Sequence, residues 1–383
     1  MNQHVCRACR GADGDIVLDL GMQPACDFFP QRGSPGPDPA YPLQMWLCAD
    51  CGLAQLMADP TTPEEPRGIE PLALGAQAAE AIRCATAAGL LAPGATVAEY
   101  GSPHGGSWLG SLTSRGLEAV PDDESADVIV DCFGMMHCPD QAAALAQRVA
   151  RLEPGGTLLL QFHSLEAVMR LGQWNVLRHG HYAYYSTTAL ATMLSWHGLR
   201  PLAAWQFDLY GGTVLLAAGR NDADEPDEMV PALLAGEVRA GVTDPAALGR
   251  LQGTSRTRAT ALHSFLATER SRGHTVLGYG AASRAVALLC LARIDSGLLP
   301  AIVDRSTDKH GRRMPGTDIP VTSPAELSSR KPHAIVLFLS DLQAEVLEAY
   351  PQVTHNGGSW IDVETLECRA RIGRHGECAS EDI

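Results

Sequence analysis

Apolar residues come in short bursts along much of this chain, and the bursts are separated by glycine turns. Val97-Ala98-Glu99-Tyr100 runs into Gly101-Ser102-Pro103-His104-Gly105-Gly106, a strand followed by a glycine turn. Ala126-Asp127-Val128-Ile129-Val130-Asp131-Cys132 and Leu158-Leu159-Leu160 read as further strands, apolar on both faces as a covered parallel sheet requires. Pro154-Gly155-Gly156 leads into the last of these. Between Gly106 and Asp127 there is room for one helix, Ser107 to Ser114, and one strand, Gly116 to Val120. Strand, glycine turn, helix, strand, helix, strand is the order of a nucleotide-type α/β domain, whose ligands sit beyond the carboxyl ends of the strands.

The pattern continues on either side. Leu72 to Leu91 has helical spacing and stops at Pro93-Gly94. Leu165 to Leu177 reads as helix, Ser186 caps another helix to about His197, and Pro201 to Gly219 reads as paired strands around Gly211-Gly212. An acidic linker with Pro226 precedes a long helix from Pro245 to Arg270. Gly273 to Ala285 begins a second strand, glycine turn and helix; Ala301-Ile302-Val303-Asp304, Pro320-Val321, Ala334 to Leu339 and Ser359 to Val363 supply its other strands. The spacing predicts a zinc-type module over 1–70, an α/β domain over 71–220, linker and helix over 221–272, a second α/β domain over 273–370 and a mobile tail over 371–383.

The first 70 residues follow different rules, being rich in Cys, Pro and Asp. Cys6-Arg7-Ala8-Cys9 and Cys48-Ala49-Asp50-Cys51 are two C-x-x-C knuckles, with Ile16 to Leu20 and Leu43 to Leu47 as strands of a hairpin between them. Four thiolates are the tetrahedral set Zn²⁺ prefers, and a closed set holds a fold without reacting. With 383 residues the chain is long enough for two or three domains. A net charge of −15 argues against nucleic acid or an anionic membrane as partner. Eleven cysteines without a secretion signal or an 18-residue apolar run point to thiols and a metal site in a cytoplasmic protein.

Several further stretches, in this order, resemble the deoxysugar C-methyltransferase family. They are Leu18-Asp19-Leu20-Gly21-Met22-Gln23-Pro24, Cys48 to Gln55, His137-Cys138-Pro139-Asp140, His179-x-His181-x-x-Tyr184-Tyr185-Ser186, Gly278-Tyr279-Gly280-Ala281, and Val303-Asp304-Arg305 with Pro315 to Val321. The resemblance covers nearly the whole chain. It implies an α/β fold with a small zinc-ribbon-like N-terminal module, a shortened class I methyltransferase-like Rossmann domain and a second Rossmann-like domain. It also implies transfer of a methyl group from S-adenosylmethionine (SAM) to C3 of a nucleotide-linked 4-ketosugar, by a monomer or homodimer.

A carbon beside a ketone is acidic because its carbanion delocalises as an enolate, so such an enzyme needs a base and an oxyanion partner. By position the resemblance makes His137 and His181 the base and enolate partner, with His179 beside them and Tyr210 where the family has His. It assigns Glu99, Gly101, Gly105, Glu118 and Phe133 to the cofactor, with Glu118 as ribose ligand, and Tyr279, Arg284 and Asp304 to the substrate, with Arg284 as a cation for diphosphate.

The departures bear on function. The family's Tyr-His-Glu-His is Arg178-His179-Gly180-His181 here, and its tyrosine-rich segment before the methyltransferase domain is Arg67 to Leu72. One helix and one strand that normally wall the adenine are missing. A second expectation is therefore a member that has lost SAM and isomerises, epimerises or cyclises a natural-product intermediate with its imidazoles. A third is a non-catalytic subunit that holds a nucleotide-linked ligand.

Overall fold

A computed structural model describes residues 4–34, 36–61, 72–103, 105–220 and 226–366. The segment Arg67 to Pro71, residues 221–225 of the expected linker and the tail from 367 lie outside the described residues. The chain opens with β1 (Gly14–Pro24), β2 (Ala40–Cys48) and β3 (Ala54–Leu56), then α1 (Leu72–Ala87) and β4 (Thr96–Gly101). It continues through α2 (Leu109–Thr113), β5 (Glu118–Ala119), β6 (Ala126–Cys132), α3 (Gln141–Ala150), β7 (Leu152–His163), α4 (Leu165–Leu171), β8 (Ala183–Tyr184), α5 (Thr187–Ser195), β9 (Arg200–Phe207) and β10 (Thr213–Gly219). After α6 (Met229–Ala240) and α7 (Pro245–Ser271) come β11 (Val276–Tyr279), α8 (Ser283–Leu291), β12 (Ile302–Val303), β13 (Val321–Thr322), α9 (Ala325–Arg330), β14 (Ala334–Leu337), α10 (Gln343–Ala349), α11 (Gln352–His355) and β15 (Ser359–Asp362).

These strands form three sheets. The first, in the order β1-β2-β3-β8, is antiparallel, and its last strand comes from far down the chain. The second has the order β5-β4-β6-β7-β10-β9, with β10 antiparallel between β7 and β9. The third, β13-β12-β11-β14-β15, is wholly parallel. The expected fold class, a cysteine-rich module, a shortened Rossmann-type sheet and a second parallel sheet, is the one observed. Among the described residues no strand lies beyond β5, which is two residues long and exposed on both. No described helix is long and apolar enough to cross a membrane.

Local rules account for most boundaries. Asp140, Ser164, Ser186 and Asp244 each accept a backbone N–H at a helix start, as N-caps do. The expected helix 165–177 stops at Leu171 because Gly172 takes a left-handed φ of 63°, and a short turn over Trp174–Val176 follows. Helix α6 was absent from the sequence reading, which placed linker there. Pro231 and Gly236 mask its pattern, yet proline in a first turn costs little.

The first sheet lies between the other two. Its β1 and β2 share one apolar core with α7, α8 and the third sheet. The knuckle residues Cys6, Ala8, Cys48 and Cys51 share another with α3, α5 and one face of the second sheet. Arg313, in the loop before β13, makes a two-armed ion pair with Asp38 at 2.6 and 2.7 Å, both side chains under 10% exposed. Burial pushes the Asp38 carboxyl up, and the Arg313 guanidinium and the Gly316 N–H more than offset this, leaving it below its ordinary value. The pair's contribution is therefore complete above the unfolded pKa of about 4 and lost as pH falls through the lower folded value. Asp38→Ala leaves a buried guanidinium unpaired and is expected to cost about 3–5 kcal/mol in urea unfolding at pH 7. That deficit should shrink below pH 4; a variant as stable as wild type at pH 7 would contradict this reading.

Candidate active site

Four sulfurs converge at the two knuckles, all within 4.8 Å of one another. Cys6 and Cys51 are 3.6 Å apart, Cys9 and Cys48 3.5 Å. Backbone N–H groups of Ala8 and Gly11 point at Cys6 and Cys9, and the fully buried Gln55 donates to Cys6 Sγ at 3.2 Å. The contact with Cys51 holds the Cys6 thiol low, at about 4, against burial; Cys51 is pushed up by the same contact. Sulfurs packed so closely become thiolates together only around a cation, so the donor set fits Zn²⁺ and closes its tetrahedron.

The knuckle reaches directly toward the imidazoles. Arg7, inside the first C-x-x-C, receives hydrogen bonds on its carbonyl from Gln141 and Ala142 N–H, and its Nη1 donates to the Pro139 carbonyl. Arg10 pairs with Asp140. These contacts fix the segment between β6 and α3. Within it, Asp131 accepts from the Met135 N–H and pairs with the buried Arg148 at 2.6 Å, while Gln141 donates to the Met135 and Cys138 carbonyls. His137 is thus held from both sides. On the facing strand, the Tyr182 N–H donates to the Met136 carbonyl and the Leu56 N–H to the Tyr182 carbonyl. Asp59 accepts from the Gly180 N–H at 2.6 Å.

His137 and His181 meet edge to face, with ring centroids 4.6 Å apart. His137 Nδ1 lies 3.0 Å from the Gly180 carbonyl. A carbonyl only accepts, so Nδ1 carries the proton and Nε2 the lone pair of the neutral ring. That Nε2 faces Ser102 Oγ at 3.5 Å, in the glycine turn after β4. His181 is in the reverse situation. Arg178 Nε lies 2.8 Å from His181 Nε2, and a guanidinium only donates, so that nitrogen accepts and the ring is neutral. His179 does not join them. Its Nε2 lies 3.2 Å from the Pro42 carbonyl and its ring packs against Tyr41, because the chain turns between the two rings at Gly180, which takes a φ of 81°.

The glycine turn is open at Gly101 and closed by Leu74 at Gly106, where a Cβ would meet the leucine Cδ2 at 3.0 Å. Gly101 has nothing within 4 Å of a notional Cβ, and Gly105 and Gly106 take φ of 100° and 85°, which only glycine adopts without strain. Glu99 does not point into the turn. Its carboxylate accepts from Ser107 Oγ and Trp108 N–H, both at 2.5 Å, and so shapes the far side of the loop. Glu118 does not fit the ribose. It pairs with Thr96 at the amino end of β4, some five residues and about 16 Å from the carboxyl edge.

A second polar group lies at the carboxyl edge. Phe133 and Tyr210, both at φ 57°, face each other at 6.0 Å, and His163 at the end of β7 is 6.3 Å from Tyr210. Burial pushes His163 down to about 4, so it stays neutral. Arg284, offered as a cation for diphosphate, pairs with Asp341 at 2.5 Å and has its charge met there. Tyr279 is core: its ring packs on Tyr350 and Trp360 and is 3% exposed. Asp304 spends both oxygens on the Ala281 and Ser306 N–H groups, tying the second glycine turn to its strand. Strand-end position alone could not separate these struts from ligands. Arg178 and Asp59 were missed as site residues, since nothing in their spacing signals a partner far along the chain.

Three family models match the chain in succession. A zinc binding domain matches residues 6–65, a methyltransferase domain 76–204 and a C-methyltransferase C-terminal domain 208–363. The C-methyltransferase NovU of Streptomyces niveus is 25% identical over 407 aligned positions, covering 93% of this chain and 94% of that protein. Solved structures overlap partially. Magnesium protoporphyrin IX methyltransferase of Synechocystis PCC 6803 is 10% identical over 38% of this chain and 83% of its own, with a TM-score of 0.30. The N-methyltransferase NodS of Bradyrhizobium japonicum is 13% identical over 37% and 85%, with a TM-score of 0.28.

Removing the metal with a strong chelator, or substituting Cys51→Ser, is expected to lower the Tm by more than about 10 °C, because binding energy at such a site is folding energy. Metal analysis should find one zinc per chain in the native protein. Full thermal stability in metal-stripped protein would contradict a structural site.

Proposed function

We propose that this chain, matched in succession by zinc-binding, methyltransferase and C-methyltransferase C-terminal family models, methylates a carbon next to a ketone on a nucleotide-linked deoxysugar or a related metabolite, with SAM as donor. The reading rests on one observation above others: His137 Nε2, its tautomer set by the Gly180 carbonyl, faces the glycine turn 3.5 Å from Ser102. SAM, when bound, supplies an electrophilic methyl on sulfonium. The chain's own residues do the rest. The Ser102–Gly106 turn and the Glu99-held loop would seat the donor, with Phe133 and Tyr210 beside it. His137 Nε2 takes the proton from the acidic C–H, and the electron pair of that bond becomes the enolate that forms the new carbon–carbon bond as the sulfur–methyl bond breaks. His181, kept neutral by Arg178, does not compete for the proton.

The three family models and the match to the C-methyltransferase NovU along nearly its whole length support transfer of a methyl group to carbon. One observation favours a second reading. The sheet ends at an exposed two-residue β5, with no described strand to wall an adenine. Proton removal and return by His137 alone would then epimerise or isomerise the acceptor.

Calorimetric titration with SAM separates the two: saturable heat supports methylation, and its absence in large excess removes it. Per folded protein, His137→Gln should lower kcat by about 10²–10⁴-fold, as loss of a positioned base does. His179→Gln should retain kcat within about threefold, since that ring faces Pro42; equal losses in both variants would contradict the assignment.

A further inference from the structure

Arg178 is a cation at the heart of this site that forms no ion pair among the described residues. It is half-buried, between the turn after α4 and β8. Its backbone is pinned by Tyr184, whose hydroxyl lies 3.1 Å from the Arg178 N–H. Its Nε donates to His181 Nε2, which fixes the guanidinium plane beside the imidazole pair. Its two terminal NH₂ groups make no hydrogen bond or ion pair with any described residue. Two acids lie by this loop: Asp59 spends its oxygens on the Gly180 N–H and on Thr61, and Asp27, whose Oδ2 is 3.7 Å from where a Gly180 Cβ would stand, makes no ion pair with Arg178. Arg148, Arg313 and Arg284 are instead closed onto carboxylates, Asp131, Asp38 and Asp341, and the buried Arg151 onto the Glu124 and Pro121 carbonyls and the Tyr100 hydroxyl. A guanidinium held in place with its fork unoccupied, one imidazole away from the base, is arranged for an anion that arrives with the reaction.

We propose that Arg178 is the oxyanion-holding residue of this site: its Nε orders His181, and its terminal NH₂ groups take the enolate oxygen that develops when His137 removes the adjacent proton. This rests on the proton-abstraction reading given above and adds the group that makes that step feasible. A ketone oxygen carries little charge before the proton leaves and close to a full charge after, so a fixed cation acts mainly on the transition state. The planar fork matches a planar enolate, which a point charge such as lysine does less well. His181 becomes a positioning residue.

The test uses the zinc-loaded full chain labelled with 15N in arginine and histidine. The probe is the nitronate of nitroethane, a planar anion that shares its charge over two oxygens as an enolate does. On titration, the Arg178 Nε–H and His181 ring signals should shift saturably. Arg178→Lys should bind more weakly, and Arg178→Gln at least about tenfold more weakly, with zinc content unchanged. Equal binding by wild type and Arg178→Gln overturns the proposal. With the ketosugar and SAM, Arg178→Gln should lower kcat about 10²–10³-fold, the cost of one oxyanion donor, with acceptor KM changed less than about threefold. Unchanged kcat, or a rise in KM alone, overturns Arg178 while methylation stands. If wild type fails to methylate the ketosugar yet nitronate binds through Arg178, the methylation reading falls and the oxyanion site remains.

Discussion

The closed set of four cysteine sulfurs is the constraint on which the site depends. None of those sulfurs is near the chemistry, yet the backbone between the first two, at Arg7, is a template. It caps α3, holds the Pro139 carbonyl and sits over the Tyr182 ring at 4.8 Å. Through β3 and Tyr182 the same module orders the facing segment that carries Gly180 and His181. Two pieces of chain more than forty residues apart are thereby brought to a ring separation of 4.6 Å. A loop fixed at one end only could not hold that spacing, because the backbone entropy of each unfixed residue would compete with it.

Charge placement explains why two imidazoles in contact take different roles. His137 has an acceptor behind it and a lone pair in front; His181 has a donor in front. The distinction comes from backbone carbonyl and guanidinium, whose donor and acceptor characters do not change with pH. The other candidate cation, Arg284 on α8, is closed by Asp341 after β14, within the unit of the third sheet, and the pair leaves no net charge for a phosphate.

Much of this was legible in the residues. The knuckle spacing specifies its own metal geometry, and the glycine turn after an apolar run specifies a crevice at a strand's carboxyl end. The short interval between Gly106 and Asp127 foretold the truncated sheet edge. Register was not legible. Glu118 reads as a strand-end acid, but β5 pairs only over two residues and leaves it level with Thr96. Tyr279 and Asp304 sit at strand ends as ligands do, yet packing and backbone N–H groups claim them. His179 and His181 are divided by a turn at Gly180, φ 81°, whose direction the sequence does not determine. Arg178 reads in the sequence only as a lost tyrosine; its 2.8 Å contact with His181 appears only in the fold.

The central claim is that the zinc-ordered segments aim His137 Nε2 at the acceptor carbon across from the methyl donor. A crystal structure of the zinc-loaded chain with S-adenosylhomocysteine and the ketosugar measures this directly. The account predicts His137 Nε2 within about 3.5 Å of the carbon to be methylated, on the face opposite the thioether sulfur. An acceptor carbon lying closer to His179 or His181 than to His137, or a sulfur seated away from the Gly101–Gly106 turn, would contradict it.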